Sequence, residues 1–183
     1  MSSLGDSTLT RLIEELGART PAPGGGAAAS VTAAVGAALG AMVVNWSLGR
    51  KALTEHDADN HDRLAQLQRG ADRALTLAEE DARNYEALNR LMKLPEDDPD
   101  RTAGWDAAVD GAMRPPMDTL ALCRELAGTL LRMLGTTNSM LKSDLAAAAV
   151  LVLGIISSAS ATPPSAAGFD ADFEMTVRCV APP

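Results

Sequence analysis

Residues 20–49 read TPAPGGGAAASVTAAVGAALGAMVVNWSLG, and this stretch decides the fold class. From Ala27 to about Ser47 it contains no charge and no proline and is rich in alanine, so it predicts a long α-helix that ends near Gly49. One face of that helix is nearly free of side chains, because it carries Ala33, Gly36, Ala37, Gly40 and Ala41. Such a face lets another backbone approach closely. We therefore expect a buried central helix, packed against a neighbour in the same chain or across a dimer interface.

Length and composition agree with one helical domain. The chain has 183 residues, 46% of them hydrophobic but only 3% aromatic, and alanine, leucine and methionine favour helix over strand. The prediction is a single all-α domain over residues 1–183, a small bundle of about five to six helices that includes one long helix and the buried Ala/Gly-rich one.

The flanking segments supply the other predicted helices. A short amphipathic helix over Leu9–Leu16 follows a Ser7 cap, and a long one runs from about Thr54 to Met92. The predicted bounds of the rest are Thr102 to Leu134, with a kink or restart at Pro115-Pro116, and Ser143 to about Ala161, after which Phe173–Val180 is a candidate extended piece.

Charge and targeting signals exclude some classes of protein. A formal net charge of -8 argues against nucleic acid as the main partner. The N-terminus lacks the pattern of a signal peptide, and the apolar runs 27–44 and 145–169 are interpreted as core helices rather than membrane spans. Cys123 and Cys179 indicate reduced thiols rather than a disulfide or zinc site, so we expect a cytoplasmic protein.

One acidic residue lies where an apolar side chain is expected. The inward stripe of the long helix is interrupted once, between Ala78 and Tyr85, by Asp81; its apolar members are Leu64, Leu67, Ala71, Ala74, Ala78, Tyr85, Leu88 and Met92. A buried carboxyl group has a raised pKa, which suits general acid and base catalysis near neutral pH. On periodicity alone, however, a structural aspartate paired with a Lys or Arg is the more common explanation.

Other candidate features have ordinary alternatives. Pro21–Gly26 offers backbone N–H groups at a helix start, which bind anions, but the same loop could be a tight helix connection. Ser143 and Asp144 form an ordinary N-cap, and Lys93 suits a helix C-terminus. His56 and His61 are five residues apart and poorly aligned on a helix, so surface positions are favoured over metal ligation. Trp46 and Trp105 are assigned to packing.

Taken together, these motifs resemble the family of formimidoyltetrahydrofolate cyclodeaminases and methenyltetrahydrofolate cyclohydrolases. The resemblance covers about residues 9–161, and its specific element is Arg19–Ala29, followed by Ala37–Val43 with Asn45. The later motifs are weaker but colinear: Asp81-Ala82 with Tyr85, Lys93-Leu94-Pro95, a proline at 115 or 116, Asn138, and Ser143-Asp144-Leu145.

The resemblance implies an all-helical homodimer that acts without metal or further cofactor on the one-carbon unit bridging N5 and N10 of a tetrahydrofolate substrate. Asp81 would be the general acid and base. Lys93 and Asp144 would be catalytic with it, and the pocket would be lined by Pro23, Gly24, Gly25, Gly26, Asn45, Asn138 and Ser143. The anionic glutamate tail of folate would be attracted by Arg50, Lys51, Arg114 or Lys142.

The sequence departs from the family pattern near its end. The family continues its last motif helix through an Asn-Val-x-x-Asn-like segment into a charged helix, where this chain reads Ala161-Thr162-Pro163-Pro164, so 162–183 is a divergent tail. The absence of a formimidoyltransferase domain favours the cyclohydrolase reaction. Two alternatives stay open: a relative that acts on another amidine or imine, and a helical binding dimer without turnover.

Overall fold

The computed structural model describes residues 4–160, and the regular secondary structure within them is entirely helical, as predicted. Five α-helices follow one another: α1 (Leu9–Leu16), α2 (Gly25–Asn45), α3 (Asp57–Met92), α4 (Pro99–Arg132) and α5 (Lys142–Ser160). Short 3-10 helices cover Leu4–Asp6, Lys51–His56 and Ser139–Leu141. The extended piece predicted over 173–180 and the divergent tail lie outside the described residues.

Several helix starts differ from the predicted ones. Thr8, not Ser7, caps α1 by accepting the N–H of Arg11 at 3.2 Å. Residues 51–56 wind into a 3-10 helix, so α3 starts at residue 57 rather than 54. Asn138 caps the 3-10 helix that leads into α5, accepting the N–H of Met140 at 3.1 Å. Ser143 and Asp144 are therefore inside the first turn of α5 and are not its N-cap.

Of the two predictions for Pro115-Pro116, a kink or a restart, the restart is wrong, because α4 is one α-helix through both prolines. It also begins earlier than predicted, since Asp98 accepts the N–H of Asp100 at 2.9 Å and Pro99 suits the first helical position. Proline 115 has no N–H for the carbonyl of Gly111, four residues earlier. The side-chain amide of Asn84 on α3 donates to that carbonyl at 2.8 Å and replaces the missing bond.

Helix α2 lies at the centre and packs antiparallel to α3. The glycines of α2 let the two helices approach closely: a Cβ on Gly26 would touch Asp81, and a Cβ on Gly40 would lie 3.3 Å from Leu67. As residue numbers increase along α2, the residues of α3 that lie beside them therefore have decreasing numbers. The prediction of a buried Ala/Gly-rich central helix is confirmed, since ten residues of α2 are buried.

The other two long helices complete the bundle. Helix α4 is antiparallel to α3, because Gly70 faces Leu126 while Gly104 faces Leu91. Helix α5 crosses α2 at Gly36, whose Cβ would lie 2.9 Å from Val152, and its start is tied to the end of α2 by Asn138. Over its 21 residues α2 is about 30 Å long, so its two ends are two separate regions of the molecule.

Helix α5 is less buried than its sequence predicts. Two segments, Gly25–Asn45 and Ser139–Ser158, are long and apolar enough to cross a membrane, a test that core helices of soluble proteins also pass. Only 22% of the second segment is buried, against 50% of the first, with Val150 and Leu153 exposed. The expectation of a core helix therefore holds for α2, whereas α5 contributes one face to the core, with Leu145, Ala148, Val152 and Ile155 buried, and exposes the other.

Candidate active site

Asp81 lies at the N-terminal end of α2, where the glycine loop meets the long helix. Its side chain projects from α3 and is only 8% exposed. A methyl group on Gly26 would lie 2.6 Å from Cγ of Asp81 and 2.8 Å from Oδ2. Position 26 must therefore be glycine for this carboxyl group to fit, and two separate candidates from the sequence become one site.

The surroundings of Asp81 act on its carboxyl group in opposite directions. Burial raises its pKa above the ordinary value, while the backbone N–H of Ala27 donates a hydrogen bond that lowers it; burial is the larger effect and the pKa is raised. Among the ion pairs of residues 4–160, none involves Asp81. The alternative of a structural aspartate paired with Lys or Arg therefore finds no support in the part of the chain that is described.

One N–H of the helix start predicted to bind an anion, that of Ala27, is bonded to the Asp81 carboxyl group. Helix α2 starts at Gly25, and Gly24 precedes it without a side-chain cap. Substituents on Gly24 or Gly25 would meet nothing within 4 Å, so these two glycines border open space. Pro23, which follows a cis peptide bond, leads into this edge. The loop thus shapes the rim beside Asp81.

A polar tie between α2 and α4 lies one turn from this contact. Ser30 Oγ is 3.0 Å from the carbonyl oxygen of Gly26 and 2.7 Å from Thr119 Oγ1, which is 2.8 Å from the carbonyl oxygen of Pro115. The two hydroxyl protons of Ser30 and Thr119 are thus shared among three oxygen–oxygen contacts. They link the start of α2 to the proline turn of α4.

The remaining predicted site residues do not gather around Asp81 in one chain. Lys93 is the exposed C-cap residue of α3 and follows Asp81 by 12 residues, which is about 18 Å along the helix. Asn45, Ser143 and Asp144 lie at the far end of α2 or near it, on the start of α5. A pocket that contains all of them cannot form within a single chain.

Asn138 is the best-held residue at that far end. It is 8% exposed, and its N–H donates to Ser47 Oγ at 2.8 Å. It borders a cavity of about 830 Å³ with an apolar floor, whose basic residues are Arg50 and Lys142. A shallower groove of about 420 Å³ is bordered by Asn45 and by Trp46, which is 65% exposed and not packed as predicted.

Asp81 borders neither of these cavities. Of the four basic residues considered for the glutamate tail, only Arg50 and Lys142 border one. Arg114 and Lys51 are exposed, and Arg114 directly precedes Pro115 in α4.

Other chemistry-bearing residues contribute little here. No group of three or more His, Cys, Asp or Glu within residues 4–160 is arranged to hold a metal ion. His61 is exposed as predicted and His56 is half-buried. Cys123 is a free, buried thiol whose pKa burial raises to about 11, while Cys179 lies outside the described residues. Trp105 is half-buried and carries Arg101 4.8 Å above its ring.

Sequence reasoning missed three polar residues next to the site: Asn84, Ser30 and Thr119. A usable signal existed for Asn84, because two prolines inside a helix leave carbonyls that need another donor. No comparable signal marked Ser30 or Thr119, which resemble ordinary helix residues in the sequence.

Comparison with known proteins matches the motifs to a family. Residues 8–162 match the family model described as formiminotransferase-cyclodeaminase. The chain is 32% identical to the formimidoyltransferase-cyclodeaminase of Sus scrofa over 142 residues, 68% of this chain and 26% of that protein. It is 33% identical to the methenyltetrahydrofolate cyclohydrolase of Methylorubrum extorquens over 122 residues, 66% of this chain and 58% of that protein.

A solved structure agrees with the fold. The formiminotetrahydrofolate cyclodeaminase of Thermotoga maritima superposes with a TM-score of 0.73 at 26% identity, covering 82% of this chain and 73% of that one. The chain thus spans only part of the length of these relatives, about a quarter in the Sus scrofa protein. On the match over residues 8–162, the chain belongs to the formiminotransferase-cyclodeaminase family.

Proposed function

We propose that the protein is a folate-dependent one-carbon enzyme that hydrolyses 5,10-methenyltetrahydrofolate to 10-formyltetrahydrofolate, with Asp81 as general acid and base. The observation that carries the proposal is the buried carboxyl group of Asp81, fitted against Gly26 and bonded by Ala27, within a chain of this family. A small molecule is the partner, tetrahydrofolate is part of the substrate, and no metal or further cofactor is needed. We place the protein in the cytoplasm, with no nucleic-acid or membrane partner.

The raised pKa of Asp81 suits it to both proton transfers of the reaction. As carboxylate, it takes a proton from the water that attacks the methenyl carbon. It then returns that proton to N5 as the bond between carbon and N5 breaks, and the proton of the new hydroxyl group leaves to solvent. The bond from Ala27 occupies only part of the acceptor capacity of a carboxylate, so the group can still accept the proton of water.

Cyclisation of 5-formiminotetrahydrofolate is the second candidate reaction. N10 attacks the formimino carbon and ammonia leaves, so one group must take a proton from N10 and give one to the departing nitrogen. Asp81 can serve in the same two steps. The name of the Thermotoga maritima neighbour favours this reaction, whereas that of the Methylorubrum extorquens relative favours hydrolysis. A non-folate amidine or imine substrate is the outcome left if both assays fail.

A homodimer forms part of the proposal. Two observations support it: the predicted site residues lie at opposite ends of α2, and α5 exposes apolar side chains such as Val150, at 68%. Contiguous exposed apolar surface indicates an interface. A two-fold arrangement that sets the Asp81 end of one chain beside the Asn138 end of another would unite both groups.

The test follows the absorbance of 5,10-methenyltetrahydrofolate at neutral pH, with spontaneous hydrolysis subtracted, for the wild type and Asp81→Asn. We expect the variant to lose about 10²- to 10⁴-fold in kcat, the usual contribution of a general acid and base. Asp62→Asn is the control, since it makes the same change at an exposed position of α3. Release of ammonia from 5-formiminotetrahydrofolate is measured in parallel. A wild type inactive in both assays, or Asp81→Asn as active as Asp62→Asn, would contradict the proposal.

A further inference from the structure

The proline turn of α4 lies level with the Asp81 contact. Asp81 precedes Asn84 by one turn of α3, and Pro115 follows Gly111 by one turn of α4. Because these helices are antiparallel and Asn84 bonds to Gly111, Asp81 and Pro115 lie at about the same height along the bundle. Pro115 is less than 2% exposed, so this turn belongs to the packed interior.

Two hydrogen-bond ties leave this turn toward the two helices that form the site. One runs to α3, where Asn84 Nδ2 donates to the carbonyl oxygen of Gly111 at 2.8 Å. The other runs to α2 through the hydroxyl pair Thr119 and Ser30, whose oxygens are 2.7 Å apart. Asn84, in the first tie, is about one helical turn from Asp81. Ser30, in the second, is about one turn from Gly26.

The tie through Asn84 exists because of the proline. A leucine or alanine at position 115 would donate its own N–H to the Gly111 carbonyl, and that carbonyl would have no need of a partner from α3. The proline turns an internal helix bond into a bond between helices, and it does so beside the buried carboxyl group. A hydrogen bond of this kind constrains the rotation and the axial position of α3 against α4, in addition to the packing of the two helices.

We propose that Asn84 is a positioning residue for Asp81: by replacing the N–H that Pro115 lacks, it holds α3 in the register in which Asp81 meets Gly26 and Ala27. This inference rests on the proposed role of Asp81. It also makes a claim about the Asp81 carboxyl group that can be tested without any substrate.

The experiment compares Asn84→Ala with Thr129→Val. Thr129 also bonds across α3 and α4, to Gln66 at 3.0 Å, but about 22 Å along α3 from Asp81. Two readouts are measured for each variant: kcat and KM with 5,10-methenyltetrahydrofolate, and titration of the Asp81 carboxyl carbon by NMR, assigned by its loss in Asp81→Asn. Melting temperature is recorded as the measure of a purely structural effect.

For Asn84→Ala we expect a loss in kcat of about 10- to 100-fold with KM within about twofold, since small displacements of a catalytic group cost this much. The pKa of Asp81 should fall toward its ordinary value as water reaches it, because burial is the main cause of its elevation. Thr129→Val should lower the melting temperature while leaving kcat and the Asp81 pKa as in the wild type.

A second background keeps the inference falsifiable if Asn84→Ala folds poorly. Pro115→Ala supplies the missing N–H within α4 and by the same argument already weakens the bond to α3. Adding Asn84→Ala to it should therefore change kcat and the Asp81 pKa much less than in the wild-type background. An unchanged Asp81 pKa in Asn84→Ala, an equal shift in Thr129→Val, or no difference between the two backgrounds would overturn the inference. If the wild type has no activity on folates, the proposed reaction fails, while the NMR titration still decides the positioning role.

Discussion

Asp81 is held by two features of the start of α2. Gly26 has no side chain, and the backbone N–H of Ala27 is available to bond to the carboxyl group. Burial disfavours the charged form, and the helix N-terminus with its N–H favours it. Because burial is the larger effect, the folded protein binds the proton at Asp81 more tightly than the unfolded chain does. The carboxyl group therefore destabilises the fold wherever it is ionised.

The residue-scale prediction concerns how the destabilisation by the ionised Asp81 carboxyl group, called its cost below, depends on pH. Below the ordinary pKa of an aspartate, both states are protonated and the cost is absent. It grows as pH rises through the interval up to the raised pKa and is complete above it. Asp81→Asn, which keeps an acceptor for Ala27, should therefore raise the melting temperature at neutral pH by roughly 2–4 °C, the equivalent of about 1 kcal/mol.

The measurement is thermal unfolding of the wild type and Asp81→Asn from pH 3 to 8. The difference between them should vanish at the acid end. A variant that is less stable than the wild type at neutral pH would show that the carboxylate, not the carboxylic acid, is the form the fold favours.

At the scale of elements, α2 is central because its side chains are small enough for neighbouring helices to touch its backbone. Gly36 is the clearest position: an added Cβ would lie 2.9 Å from Val152 and 3.3 Å from the carbonyl oxygen of Ala148 on α5. A flexible side chain could move away, but the backbone of α5 cannot move without shifting the helix. The spacing between α2 and α5 is therefore fixed by this glycine.

The element-scale prediction is that Gly36→Ala lowers the free energy of unfolding by about 1–3 kcal/mol through overpacking. The matched control is Gly128→Ala, one turn before the end of α4, where the new methyl group would meet only Arg132 Nη1 at 3.5 Å. The control should gain about 0.5–1 kcal/mol, because alanine replaces glycine inside a helix. Urea unfolding of both variants gives the two values; an equal gain in Gly36→Ala would refute the close contact with α5.

At the scale of the whole molecule, two features of the single chain support the proposed dimer. Asp81 and Asn138, which are both proposed site residues, are separated by the length of α2, and α5 exposes apolar side chains, with Leu153 51% exposed. A two-fold dimer could bring Asp81 of one chain beside Asn138 of the other and cover the exposed side chains of α5 in the same interface.

The whole-molecule prediction is complementation between two inactive variants. Asp81→Asn and Asp144→Asn should each be inactive alone. After dissociation and reassociation of an equal mixture, about one quarter of the wild-type activity should return, since half of the dimers are mixed and each has one intact site. Light scattering establishes the dimer, and differently tagged chains establish mixing. Mixed dimers without recovered activity would contradict a site shared between two chains.

Sequence alone determined what depends on local spacing. The 3.6-residue period of α3 placed Asp81 on the inward face, and the uncharged, small-residue run of α2 identified the central helix. The motif order from Arg19 to Leu145 also identified the family later matched over residues 8–162. Both periodicity and motif order can be read from neighbouring residues without knowing how the helices pack.

Tertiary structure alone decided which distant groups meet. No local pattern places the carboxyl group of Asp81 on Ala27, or the amide of Asn84 on Gly111, because each contact depends on the axial register of two helices far apart in sequence. The same register separates Lys93 and Asp144 from Asp81 and leaves α5 uncovered. Helix periodicity fixes only the direction of a side chain around its own axis, whereas packing fixes the height at which it finds a partner.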